Sequence, residues 1–575
     1  APAVVLWHLP APISGWRLLR DVLAALLAPP THVRDEQVFG ERGAPESVAL
    51  LSPELANAAE AAAEVLELFA AVLADDERLA STLCEHLAGA EPDAEDAGCA
   101  PPLAALAQSA LHAALTARPL NGRLACAAYR VLTQLVRVAP NDVWQRVRSS
   151  NALVGSPGTV PLAESLRAQR PAPGASVLLA DATARAQYDA LLCLLDLLEA
   201  LLHDALAGQF ADVEELAALK ASVLARSLAW LAEAVWAEHA TWRYALGEER
   251  LVLGSRCVRL FDALLADPAI WAPQLETPWA PRVAPLRALV ERVFVVPSSV
   301  LALAPVLGAL GGGHAVLDEQ MRAGDTRGTR AAEGLIEQCL RFARHAIERH
   351  MDVCGAAPRT SVHLLETLFF SHTPVAGARQ ELAGAVLAYI WRRAPPALGT
   401  EAARLVATVS RSTSAATRAE ASQFRLAGHL GSALELEAAL AALRGVLANP
   451  HEDQELCRAV WALLGALVEG QPALATLLLT GRPEGGARDG KPPERTDGKP
   501  ADGQPRTPLQ LAVQSVARHG PALWDDAPAL LDMQLCFLHV AWAHALEHAS
   551  VFSALHEHKP LWEVLAGLVP VSYTH

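Results

Sequence analysis

The chain has 575 residues, of which 52% are hydrophobic, 5% aromatic and 19% charged, and its formal net charge is −16. This apolar content excludes an intrinsically disordered chain and a collagen-like one, and the length allows several domains or one long repeat array. An acidic chain has no general attraction for polyphosphate, so no direct nucleic-acid partner is expected.

Taken from the N-terminus, residues Ala1 to Trp16 lack a basic segment followed by a long apolar core, and the first residue is not methionine. No signal peptide is expected, and the chain reads as part of something longer. Helix starts are signalled by Ser52-Pro53 before Glu54 to Ala74, by Asp75-Asp76 before Leu79 to Leu87, and by Pro140-Asn141-Asp142 before Val143 to Arg148. Each supplies a side-chain acceptor or a fixed φ for a first turn. Ala88 to Pro102 is an acidic loop. Asp181 to Ala207 predicts one long helix, apolar on more than one face through Leu191, Leu192, Leu194, Leu195, Leu197, Leu198, Leu201 and Leu202, which must sit between neighbours.

Trp230, Trp236 and Trp242 recur every six residues, which spreads them around a helix as separate packing anchors. Leu251, Gly254, Val258, Phe261 and Leu265 form a stripe spaced by three and four, with the glycine letting a neighbouring helix come close. Asp267 to Pro285 is proline-rich, but Trp271 and Trp279 mark it as packed. Val293 to Leu317 carries no charge over a bilayer-spanning length. Pro297, Pro305 and the run Gly311-Gly312-Gly313 argue for two short buried helices instead, the glycines ending one of them, so no transmembrane segment is expected.

Glu333 to Met351 is the clearest amphipathic helix: Ile336, Leu340, Ala343, Ile347 and Met351 face inward. Arg341, Arg344, His345, Arg349 and His350, interleaved with Glu337 and Glu348, read as a solvated face. Gly481 to Pro508 holds the near-repeat Asp489-Gly-Lys-Pro and Asp497-Gly-Lys-Pro and no aromatic residue, so it reads as a disordered linker. The expected organisation is a helical solenoid over residues 1–480, the linker 481–508, and further solenoid helices over 509–575.

No alternating strand cluster interrupts the helical pattern, and no strict 34- or 40-residue consensus recurs. The fold expected is all-α, an irregular α-solenoid of stacked antiparallel helix pairs of the HEAT or armadillo kind. Its grooves suit an amphipathic helix or extended peptide from a partner.

Catalytic signatures are missing from the sequence. Gly490-Lys491 and Gly498-Lys499 are each followed by proline, which excludes a phosphate-binding P-loop, and no G-x-S-x-G string occurs. His544-Ala-Leu-Glu547-His548 spells H-x-x-E-H, yet only a short tail follows in which a further carboxylate ligand would have to lie. The nine cysteines have no C-x-x-C pair and suit buried thiols. The chain is read as a non-enzyme with no cofactor-binding, catalytic or metal-binding residues.

Two stretches carry a resemblance. One is Asn141-Asp-Val-Trp144-Gln-Arg-Val147. The other is Trp242-Arg-Tyr244, then Glu249-Arg250-Leu-Val-Leu-Gly254, then Cys257-Val-Arg-Leu260-Phe261. Together they resemble the nucleoporin 188 family of large inner-ring scaffold nucleoporins, over about Leu50 to Leu310. The resemblance implies a transport-receptor-like solenoid at the nuclear envelope, in the nuclear pore complex, supporting nucleocytoplasmic transport. It implies as partners an inner-ring coiled-coil nucleoporin, linker nucleoporins that lend short helical segments, and phenylalanine-glycine repeats or transport receptors. Trp144, Trp242, Tyr244, Arg250, Gly254 and Phe261 are its signature positions, with a structural role expected. The competing reading is another helical-repeat adaptor or a nuclear transport receptor.

Overall fold

A computed structural model describes residues 14–28, 53–88, 102–117, 119–149, 174–208, 214–271, 280–297, 299–354, 362–374, 381–391, 395–416, 426–429, 433–448, 453–480, 507–545, 549–556 and 559–568. Among these every regular element is helical and none is a strand. The chain divides into two compact units, Ala1–Leu260 with Asp267–Leu289, and Phe261–Ala266 with Val290–His575.

The first unit contains α1 (Gly15–Leu27), α2 (Pro53–Asp75), α3 (Glu77–Ala88), α4 (Leu103–Thr116), α5 (Gly122–Val138), α6 (Pro140–Ser149), α7 (Gly174–Arg185), α8 (Asp189–Ala207) and α9 (Glu214–Trp230). α2 begins at Pro53 and α6 at Pro140, whereas Ser52 lies outside the described residues. Asp76 Oδ1 accepts from the Arg78 N–H at 2.7 Å as expected, and Asn121, which the sequence reading passed over, caps α5 by accepting from the Leu124 N–H at 3.0 Å; each satisfies a first-turn donor the helix cannot. α5 is the centre of the unit, packed between α2, α4 and α8. Its residues Leu124 to Ala128, Tyr129, Val131, Leu132 and Leu135 are buried.

The helix predicted over Asp181 to Ala207 is two helices. Ala186 takes a left-handed φ of 55°, and Tyr188 stands just before α8 with its side chain buried. A tyrosine drawn inward at that point turns the chain between α7 and α8. After Trp230 the helix widens into a π turn, Leu231–Trp236, whose Ala232 carbonyl accepts from the Ala237 N–H at 3.2 Å. α10 (Gly247–Ala266), α11 (Pro268–Trp271) and α12 (Ala280–Val290) follow. The stripe Leu251, Gly254, Val258, Phe261 and Leu265 is buried throughout, as is Trp271, whereas Trp279 lies outside the described residues.

The second unit opens on another π turn, Glu291–Val295, and a 3-10 turn, Leu301–Leu303. It continues through α13 (Ala304–Ala323), α14 (Thr326–Cys354), α15 (Leu364–Phe369), α16 (Leu382–Trp391), α17 (Pro396–Ala416), a 3-10 turn Leu426–His429, α18 (Ala433–Ala448), α19 (Gln454–Gly470) and α20 (Pro472–Thr480). The last helices are α21 (Pro508–Asp526), α22 (Pro528–Ala545), α23 (Ala549–His556) and α24 (Lys559–Leu568). α13 packs on α14, α14 on α17, α17 on α19 and α19 on α22, so each long helix rests on one that follows it by one to three helices in the chain. Neighbour-on-neighbour stacking within a unit is the packing order of an α-solenoid.

The glycine run does not end a helix. Gly311, Gly312 and Gly313 lie inside α13, which stops at Gly324 with φ 69°. A Cβ at Gly313 would collide with Tyr389 Oη of α16 and with Ile336 of α14, so glycine is there to let two helices approach. The His314 ring stacks on Tyr389 at 3.8 Å, and its Nε2 is 2.9 Å from the Ala385 carbonyl. Ser299 stands before the 3-10 turn that leads into α13, and its Oγ accepts from the Leu301 N–H at 3.2 Å. Leu301–Ala323 spans 23 residues at mean hydropathy 1.4, enough by length and composition to cross a bilayer. It packs against α14 and α16, as a core helix does.

The basic strip on α14 is not a solvated face either. Glu401 of α17, 4% exposed, sits 3.8 Å from Arg341 Nε, 3.6 Å from Arg344 Nε and 2.8 Å from Arg404 Nη1. Thr408 Oγ1 donates to Glu348 at 3.2 Å, His345 Nδ1 is 2.7 Å from Asp262, and the Arg349 Nε–H donates to the Leu265 carbonyl at 2.7 Å. Helices that arrive elsewhere in the chain cover what the sequence of α14 alone leaves polar. Residues 481–506 of the expected linker lie outside the described residues; Thr507 and Pro508 start α21, in a capping box with Gln510. The acidic loop at 89–101 also lies outside the described residues.

Candidate functional site

The signature positions of the first unit build two side-chain knots. Trp144 of α6 is fully buried, and its Nε1–H donates to Asp204 Oδ2 of α8 at 2.8 Å. The same oxygen accepts from Lys220 Nζ of α9 at 2.9 Å, and that ammonium lies 5.6 Å from the Trp144 ring centroid. Lys220 is 3% exposed. A lysine is buried so deeply only when paired, so one carboxylate and one aromatic face hold α6, α8 and α9 together.

The second knot centres on Tyr188. Its ring stacks on Trp242 at 5.6 Å with 7° between planes, and meets Tyr244 at 4.7 Å. Tyr188 Oη donates to the Arg243 carbonyl at 2.7 Å, and Tyr244 Oη donates to the His239 carbonyl at 2.8 Å. His239 in turn stacks on Trp236, with Nδ1 2.8 Å from the Trp236 carbonyl. Burial pushes the Tyr244 hydroxyl up and holds His239 below its usual value, so this cluster stays neutral near pH 7. It pins the irregular turn between the π segment and α10.

The remaining signature positions are elsewhere. Arg250 is exposed, Gly254 is buried on α10, and Phe261 packs at 4.7 Å from Phe294, which meets Phe342 edge-on at 5.1 Å. The sequence reading passed over Arg256, which pairs with Asp196 at 3.1 Å and Glu199 at 3.0 Å and ties α10 to α8. It passed over Tyr188 as well, for want of any spacing that would join it to Trp242. Of the H-x-x-E-H string, Glu547 and His548 lie outside the described residues.

A cleft of about 360 Å³ opens on the first unit between α5, α7 and α8, lined by Leu120, Arg123, Cys126, Arg130, Leu178 and Arg185 among others. Arg123 pairs with Glu67 at 2.9 Å and with Glu60, and Arg185 pairs with Asp181 at 3.0 Å. Beneath it, the hydrogen bond between Cys126 and Cys193 raises the first thiol and lowers the second, which Arg130 lowers further. Both thiols are buried, and no disulfide forms among the described residues. The lining carries charges of both signs, Arg123, Arg130 and Arg185 beside Glu67, Asp181 and Asp189, which suits a charged segment of a partner.

Among solved structures, a circular tandem repeat protein with novel repeat topology is 13% identical, with a TM-score of 0.22 and coverage of 98% of this chain and 97% of that one. SYS-1 is 11% identical with a TM-score of 0.23, covering 98% of each chain. Scores this low carry no argument about fold or function. No curated protein matches the sequence. The sequence profile of Nucleoporin Nup188, N-terminal subdomain III, matches residues 106–482, a span that takes in both knots and the cleft. Since that is more than half of the chain, the protein belongs to the Nup188 family of nucleoporins.

Proposed function

We propose that this chain is a structural scaffold of the inner ring of the nuclear pore complex, without catalytic activity, and that it holds short helical segments of linker nucleoporins. The family match over residues 106–482 carries the reading. The cleft offers a place for such a segment: Arg130 and the ion-paired Arg123 and Arg185 line it. A short helix with acidic side chains on the face it presents would find cationic partners there. The coiled-coil inner-ring nucleoporin, phenylalanine-glycine repeats and transport receptors are the further partners that membership suggests, in support of nucleocytoplasmic transport.

Two measurements test this. The tagged endogenous protein, photobleached in living cells, should sit at a punctate nuclear rim and recover negligibly over many minutes. Diffuse signal or fast exchange would instead favour a soluble transport receptor. In vitro, Arg130→Glu and Arg185→Glu should each weaken capture of linker-nucleoporin peptides by tenfold or more, on the order of the 1.4 kcal/mol that a tenfold change represents. Unchanged capture would remove the cleft from the account while leaving the scaffold role standing.

A further inference from the structure

Three segments of the second unit converge on one point. His372 lies in the stretch after α15, Glu381 immediately precedes α16, and His429 closes the 3-10 turn Leu426–His429. His372 Nδ1 is 3.0 Å from Glu381 Oε1, and His429 Nδ1 is 2.7 Å from Glu381 Oε2. The two imidazoles stack at 4.3 Å with 16° between planes. One ligand atom from each of the three residues lies within 4.8 Å of the others, the one such group among the described residues.

We propose that His372, Glu381 and His429 bind a divalent transition-metal ion of the zinc class, which fastens the loop after α15 and the turn before α18 to the start of α16. The donor set is two imidazole nitrogens and one carboxylate. That combination suits zinc, and cobalt as its substitute, whereas calcium and magnesium prefer oxygen alone. Both imidazoles turn Nδ1 toward the same carboxylate, so a cation placed among them would meet three donor atoms at once. Bonds of about 2.1 Å set tetrahedral ligand atoms roughly 3.4 Å apart, and the donors, 2.7 and 3.0 Å from Glu381 and all within 4.8 Å of one another, need only a small adjustment to reach that spacing.

Burial is graded across the site. The His429 side chain is 2% exposed, Glu381 30% and His372 69%. His429 and Glu381 form the fixed half, the exposed His372 can turn to close on the ion, and water fills the fourth position, as in other three-ligand sites. Glu381 and His429 stand 48 residues apart in sequence, so the bound ion would close a long loop and favour the folded state.

The test uses the full, untagged chain, stripped with a chelator and titrated with zinc chloride. One zinc per chain should bind, raise the melting temperature, and resist millimolar magnesium; cobalt(II) should give visible d–d absorption. His372→Ala and Glu381→Gln should each weaken zinc binding at least tenfold and abolish the melting shift. His372 is exposed, so its replacement keeps the fold, which circular dichroism verifies, whereas the buried His429 is left in place. Zinc bound equally well by both variants, displaced by magnesium, or not bound by the parent chain would overturn the proposal.

Discussion

The two units bury charge in opposite ways. In the first, Lys220 is enclosed with one carboxylate, and Asp204, with a side chain 20% exposed, keeps contact with water. In the second, Glu401 is enclosed with three guanidinium groups from two helices, while Arg404 also reaches Glu455 of α19 at 2.7 Å. A pair with one wet partner loses little when it is broken, because the survivor regains water. Loss of the hub instead leaves three guanidinium groups facing one another, with side chains 18–32% exposed and Glu337, Glu348 and Glu455 as their remaining partners.

The largest expected effect therefore comes from the hub. Glu401→Ala should destabilise by about 3 kcal/mol, the low end of the range for breaking a buried pair, since the three arginines keep other carboxylates; the loss is read as a lowered denaturation midpoint. A loss below that of Lys220→Met would reverse the comparison. Next comes acid. His363 caps α15 with its ring wedged between two backbone groups: Nδ1 accepts from the Leu365 N–H at 3.1 Å and Nε2 faces the Phe294 carbonyl at 2.9 Å.

Burial pulls the His363 imidazole down to about 4, so it is neutral when folded. Its folded value lies below the unfolded one of about 6.5, so the unfolded chain takes up the proton first as pH falls. The contribution is complete above pH 6.5 and declines toward pH 4, by up to about 3 kcal/mol. His363→Asn, which keeps a cap but not the titration, should flatten the pH dependence of stability in that window.

Lys220→Met should cost about 2 kcal/mol, below the usual range for a buried pair because Asp204 stays hydrated. Smallest is Gly313→Ala, about 1–2 kcal/mol of overpacking against Tyr389 and Ile336, seen as a modest fall in melting temperature. If it equals the Glu401 effect, close helix approach and not charge burial dominates the second unit.

Legibility follows the range of the interaction. The stripe on α10 and the inward face of α14 were readable because helical period alone determines them. The polar face of α14 was misread as solvated, since Glu401 and Thr408 come from a helix whose sequence gives no sign of where it will dock. The glycines of α13 were misread for a related reason: a turn and a close approach both call for glycine, and only Tyr389 decides between them. Trp144 was picked out by resemblance, but its bond to Asp204 and the burial of Lys220 join residues with no common spacing. His372, Glu381 and His429 follow no recognised ligand motif.

The two π turns have a consequence for comparing this chain with others. Each closes a helix with wider turns, Leu231–Trp236 after α9 and Glu291–Val295 after α12, so the last side chains of those helices drift from the 100° step that an α-helix keeps. A period search that runs into either segment loses phase over that last turn. Alignments of this chain to shorter helical repeats are best allowed a gap at those two helix ends, where the chain turns away.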